Sequence, residues 1–206
     1  MSKYTKLQKM KADIKKELKP HFDKVLSLSD EERVKLGEEF VCYLEQCSDL
    51  LPILNSFDLD QDLKNIRTSI KEQLFLLFHY LGLVESIGNW TTDILIMLLV
   101  RIGIDFHIKG NVIRHVYSFD ELQESYVSLQ MKLDFLKKYE IKTYPKIINK
   151  ELRNEIAHFK FEVKNDRIII RDKEVWEVIF PELLKIKVIN ELIIEMFKEL
   201  GRFLGI

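Results

Sequence analysis

PKIINKELRNEIAHF, residues 145–159, is the stretch on which the fold reading turns. Pro145 suits the first turn of a helix, because its fixed φ is helical and its missing N–H has no intrahelical partner to lose there. Ile148, Leu152, Ile156 and Phe159 then recur at helical spacing. On an ideal wheel of about 100° per residue with Ile148 at zero, Leu152, Ile156 and Phe159 fall at about 40°, 80° and 20°. This predicts a helix that buries one compact stripe. Arg153, Ala157, Asn154 and His158 fall at about 140°, 180°, 240° and 280°, on the opposite face.

Downstream, the period changes. Phe159, Phe161 and Val163 alternate, Asn165-Asp166 supplies turn chemistry, and Ile168-Ile169-Ile170 follows, so a small β-hairpin is expected. Pro181 opens a final helix that reaches Leu200 and stops at Gly201. Upstream, Ser118-Phe119-Asp120-Glu121 is a capping box, and Leu122, Tyr126, Leu129, Leu133 and Leu136 recur behind it as a bundle helix or one that pairs with a partner. The stretch 104–117 is ambiguous.

Earlier helices are expected over residues 3–18, closed by Pro20, and from the capping box at Ser29-Asp30-Glu31-Glu32 to about Gln46. After interruption at Pro52 and Asn55, a third runs from about Asp60 to Leu81, ending near Gly82, and a fourth from about Thr91 to Ile102, ending at Gly103. The apolar region Leu74 to Val100 carries Glu85, Asn89 and Asp93, which divide it into pieces too short for a bilayer. Two core helices around a turn are expected there, with no membrane partner.

The resulting fold class is mainly α, a bundle of about six helices with a small β-hairpin after the motif helix. Residues 1–206 are read as a single domain, with N-terminal helices over 1–117 and the motif helix, hairpin and final helix within 118–206. Hydrophobic content of 47% and charged content of 32% suit a globular protein that folds without staples. Cys42 and Cys47 lie five apart within one helical pattern, poor geometry for a disulfide, and are read as buried thiols. The N-terminus lacks the apolar stretch of a secretory leader, so a cytoplasmic location is expected.

Charge is unevenly spread. Residues 1–24 carry eight basic and three acidic side chains and residues 132–173 carry twelve and seven, so each stretch is +5 in a chain of net charge −1. The basic character gathers at the N-terminus and around residues 145–159, which suits a polyanion partner, although lysine-rich helix faces are also simply solvated.

The opposite face of the motif helix groups a guanidinium, an amide and an imidazole around the small Ala157. Arginine grips phosphate through parallel hydrogen bonds, and histidine, with a reference pKa of about 6.5, exchanges protons near neutrality. Taken singly, each residue has an ordinary use: Arg153 pairing with a glutamate across a helix interface, Asn154 as a surface amide, His158 as an imidazole favoured by the helix C-terminal dipole.

LRNEIAHF, residues 152–159, resembles the Arg-polar-x-x-x-His signature of the HEPN superfamily of helical-bundle proteins. The matching context covers roughly residues 118–204. The resemblance implies a metal-independent endoribonuclease whose composite site forms across a homodimer, in phage defence or a toxin system, with an antitoxin or other regulatory protein as a further partner. Carried over, His158 is the catalytic acid/base, Arg153 the phosphate-binding group and Asn154 the polar residue that shapes the site. Where toxins of the family carry a tyrosine two residues after the histidine, this chain has Lys160, which puts control by modification of that tyrosine in doubt. The alternative is a non-catalytic module of the same fold that binds RNA, a nucleotide or a protein.

Other chemistries find less support. Glu155 and His158 have the spacing of a di-iron half-site, but no other histidine has a glutamate three residues before it, so no metal is expected. His21, His79, His107 and His115 show no ligand spacing, and the glycines form no phosphate-binding loop, so no cofactor is expected. Tyr139, Tyr144 and Phe161, interleaved with lysines, are candidates either for stacking on unpaired bases or for packing in the core. Because Ala157 is read as the point of close helix approach in the dimer, Ala157→Phe is expected to weaken dimerisation and activity together, as light scattering and a cleavage assay would register.

Overall fold

The chain from Ile70 to Val100 is one uninterrupted helical run of 31 residues. In the computed structural model, which describes residues 3–48, 69–102, 106–109, 112–115, 124 and 128–205, it comprises α3 (Ile70–Leu83), a π-helical turn (Val84–Gly88) and α4 (Asn89–Arg101). Around it lie α1 (Lys3–Val25), α2 (Asp30–Ser48), α5 (Leu129–Lys138), α6 (Lys150–Ala157) and α7 (Val175–Leu204). Strands β1 (Phe106–Lys109) and β2 (Val112–His115) form one hairpin, and β3 (Glu162–Lys164), β4 (Arg167–Ile170) and β5 (Lys173–Glu174) form an antiparallel sheet. The molecule is a helical bundle with small β appendages.

The turn expected between the two core helices is absent, for a local reason. Gly82 keeps a helical backbone, and the wider π turn leaves carbonyls that hydroxyls take up. Ser86 Oγ donates to the Gly82 carbonyl at 2.6 Å, while Thr92 Oγ1 and Tyr144 Oη both donate to that of Gly88. Gly88 is needed for space, since a Cβ there would lie 3.1 Å from Ile148 Cδ1. By length and composition this run is apolar enough to cross a membrane, an 18-residue window of it having a mean hydropathy of 1.4, yet 71% of that window is buried inside the bundle. Every residue from Trp90 to Leu99 is buried, as a helix apolar on all sides requires.

The polar residues of this run dock other helices. Lys132 of α5 pairs with Asp93 at 2.6 Å and donates to Asn89 Oδ1 at 3.0 Å, and both charged side chains are almost fully buried. Along α7, Val175, Ile179, Leu183, Ile186, Ile189 and Ile193 are buried at helical spacing and cover α3. Glu17 of α1 accepts from Lys142 N, Thr143 N and Thr143 Oγ1 at 2.9, 2.8 and 2.6 Å, fixing the loop that leads to α6.

Several boundaries differ from expectation. α1 runs through Pro20 because its exposed ring sacrifices one hydrogen bond while Leu18 and Val25, on either side, stay buried. α7 starts at Val175, capped by reciprocal Glu174 and Glu177 bonds, with Pro181 inside it and the left-handed Gly205 (φ 79°) closing it; Gly201 is an interior, buried residue. α5 starts at Ser128, whose Oγ accepts from Met131 N at 3.3 Å, so no single helix spans Leu122 to Leu136. Pro145 belongs to a 3₁₀ turn (Tyr144–Lys146), and Asn149 caps a shorter α6. The box at Ser118–Glu121 and the start of the third expected helix lie outside the described residues.

The capping box at Ser29 is present, with Ser29 N donating to Glu32 Oε2 at 2.9 Å and Glu32 N to Ser29 Oγ at 3.3 Å. So is the hairpin after the motif. Asn165 and Asp166 both have positive φ, 50° and 57°, as a type I′ turn demands, and Val163 faces Ile168 across the ladder. A second such turn at Arg171 and Asp172 adds β5, and the formerly ambiguous stretch supplies the β1–β2 hairpin.

Removing one member of the buried pair leaves the other charge uncompensated. Lys132→Met is therefore expected to cost about 3–5 kcal/mol in urea denaturation, and adding Asp93→Leu should recover most of that loss.

Candidate functional site

α6 is only eight residues long and owes its position to two side chains. Leu152 and Ile156 are fully buried against α3, and Asn149 Oδ1 accepts from Leu152 N at 3.1 Å to cap the first turn. With that stripe fixed, Arg153 is turned toward the π turn of the central rod. Its Nε donates to Glu85, and its Nη1 donates to Asn154 Oδ1 at 2.9 Å. Two anchors thus orient the guanidinium while Nη2 makes no hydrogen bond among the described residues.

A cleft of about 330 Å³ opens beside this group, between the π turn, the start of α5 and α6. Its polar lining includes Glu85, Asn89, Gln130, Lys150, Arg153 and Asn154. Two cations and three amides, with the Glu85 carboxylate offsetting part of the Arg153 charge, face one concavity and can hold an anionic or amide-bearing group. Arg153 and Asn154 therefore sit together, as expected. Glu85, Asn89, Gln130 and Lys150 went unnoticed as site residues; the visible signal was that Glu85 and Asn89 are polar interruptions of an apolar run.

His158 lies apart from that cleft lining. It is the C-cap of α6 and exposed, its N–H donates to the Asn154 carbonyl at 3.0 Å, and its imidazole makes no hydrogen bond or ion pair among the described residues. Ala157 beside it is half-buried. Glu155 has a definite partner: Arg171 donates to both its oxygens, at 2.8 and 2.9 Å, which commits the carboxylate to the hairpin rather than to His158 or a metal.

Phe159 contradicts its placement in the core stripe. It is 67% exposed, because α6 stops before it in a Schellman turn: Lys160 N donates to the Glu155 carbonyl at 2.7 Å and Phe159 N to that of Ile156 at 3.0 Å. The turn forces Phe159 to φ 54°, a left-handed conformation that costs a side-chain-bearing residue roughly 1–2 kcal/mol. Tyr144 is buried and its hydroxyl is pushed up to about 12 by desolvation, so it serves as a neutral core donor. Tyr139 packs on Phe135 at 4.7 Å between ring centroids, and Phe161 is half-buried against Phe159.

No protein-family model matches the chain, and no curated protein or solved structure matches it.

Arg153 and Glu85 are each about one-third exposed, so solvent screens their attraction. A double-mutant cycle of Glu85→Gln and Arg153→Gln is expected to give a coupling below about 1 kcal/mol by chemical denaturation, the mark of an orienting contact rather than a structural one.

Proposed function

We propose that the chain is a metal-independent endoribonuclease that cleaves RNA by 2′-hydroxyl transesterification at a site shared by two copies. The observation that carries this reading is the division of labour on α6: an oriented guanidinium beside a polar cleft, and an unengaged imidazole at the end of the same helix. Its resemblance to the HEPN motif supports the same assignment.

In the proposed reaction, Arg153 places the scissile phosphate through its Nη end and offsets the charge that builds on the equatorial oxygens. One His158 takes the proton of the ribose 2′-hydroxyl as that oxygen attacks phosphorus. The bond to the 5′-oxygen breaks, and the leaving oxygen receives a proton from His158 of the second copy. A 2′,3′-cyclic phosphate and a 5′-hydroxyl result, and the two imidazoles exchange protonation states. Asn154 holds the guanidinium in place. The setting we favour is cytoplasmic, in phage defence or a toxin system restrained by a regulatory protein.

A second reading has its own support. Because Glu85 already occupies Arg153 Nε, and Asn89, Gln130 and Asn154 line the cleft with amides, the same site suits a non-catalytic module that binds RNA, a nucleotide or a protein partner.

An RNA cleavage assay with excess chelator separates the two. The enzyme is expected to yield cyclic-phosphate ends, and His158→Ala or Arg153→Ala should lower the rate by at least about 100-fold. Undiminished RNA binding with no cleavage by the wild-type chain would establish the second reading.

A further inference from the structure

Phe159 is expensive in two ways, a left-handed backbone where glycine is usual and a ring two-thirds exposed to water. It does not stand alone. Its ring meets Phe78 edge-on at 6.4 Å and Phe161 at 6.0 Å, and one turn earlier on α3 the Phe75 ring stacks on His79 at 5.7 Å. Phe75 and Phe78 are themselves 50% and 46% exposed. The outer face of α3, where Phe75 and Phe78 are neighbours at i and i+3, and the end of α6 thus form an aromatic ridge that begins one residue beyond His158.

Two exposed cations flank this ridge, with the partly buried Glu72 beside the first of them. Lys71 and Lys160 are exposed and have no acidic partner among the described residues, while the nearby Glu162 is neutralised by Lys164. A second copy of the chain seated on the ridge would bring like charges together; a polyanion would be attracted. Single-stranded nucleic acid combines the needed features, flat bases that stack on phenyl rings and phosphates that meet lysines.

We propose that Phe159, Phe78 and Phe75 form a stacking platform for unpaired nucleobases, with Lys160 and Lys71 holding the adjoining phosphates. The strain at residue 159 is retained because it lifts the ring off the core and onto this surface. The platform deepens the ribonuclease reading, on which it rests for the further statement that the bound strand leads to His158. Unpaired RNA is then the substrate class, since a duplex keeps its bases stacked on one another.

The test uses a 2′-O-methylated oligoadenylate of about ten nucleotides carrying 2-aminopurine, which offers bases but no attacking hydroxyl. Binding should quench the fluorophore. Phe159→Gly and Phe78→Ser should each weaken binding by about tenfold and diminish the quench, at low and high salt alike. Lys160→Ala should weaken binding at low salt only. Phe159→Gly should melt at or above the wild-type temperature, which separates a lost contact from a lost fold. Unchanged affinity in the Phe159 variant would overturn the platform, and so would its conversion from dimer to monomer, which would make the ridge a contact between copies. A wild-type chain that binds the probe through these rings yet leaves unmodified RNA intact would retract the ribonuclease reading and keep the platform.

Discussion

An apolar rod of 31 residues has to be covered over most of its surface, and most of this structure follows from how that is done. At about 25 cal/mol per Å² of apolar surface withdrawn from water, the buried run from Trp90 to Leu99 is a dominant favourable contribution. α7 lies across α3, α5 lies against α4, and α1 and α2 close the remaining flanks. The few polar groups within the rod cannot be left bare in such surroundings. Asp93 and Asn89 are met by Lys132, Glu85 by Arg153, and Gln73 Oε1 by the N–H of Ile168 at 2.7 Å. The buried contacts of Asp93 and Gln73 each fix the position of one covering element, so the rod acts both as core and as template.

The candidate site is a by-product of that template. A π turn rotates the helix face relative to a regular α-helix, and such turns recur at functional sites. Here it directs Glu85 toward α6 and leaves room at Gly88 for Ile148. α6 is too short to be stable alone and takes its orientation entirely from Leu152 and Ile156. The guanidinium of Arg153 is therefore aimed by the packing of its own helix on α3. At the other end of α6, the Schellman turn sends the chain out into the hairpin, where Glu155 and Arg171 tie the two together. His158 and Phe159 are presented outward by the same turn.

How far the residues announced this arrangement depends on the range of the forces involved. The Asn165-Asp166 turn was legible because two residues with positive φ satisfy a local requirement that few other pairs meet. The Ser29 box was legible because its reciprocal hydrogen bonds span three residues. Pro20, Pro181 and Gly82 misled for one reason: each is a local breaker whose cost, up to about 3 kcal/mol, is smaller than the burial gained by extending the helix past it. Ser128 escaped notice because the apolar spacing continues smoothly through it, although its backbone is extended. Phe159 fitted the wheel and left the core because a Schellman turn ends α6 at Ala157, two residues earlier, which periodicity does not register.

Sequence alone determined the helical class, the amphipathic stripe of Leu152 and Ile156, the hairpin that follows, and the co-location of Arg153 and Asn154, since each rests on spacing within a few residues. Only the tertiary structure decided that Glu85 would meet Arg153, that Lys132 would neutralise Asp93, that the cleft would exclude His158, and that three phenylalanines would gather at the surface. Those outcomes depend on residues between 39 and 81 positions apart in the chain being brought into contact, and the free energy that brings them there is the burial of the rod rather than any preference of the residues themselves.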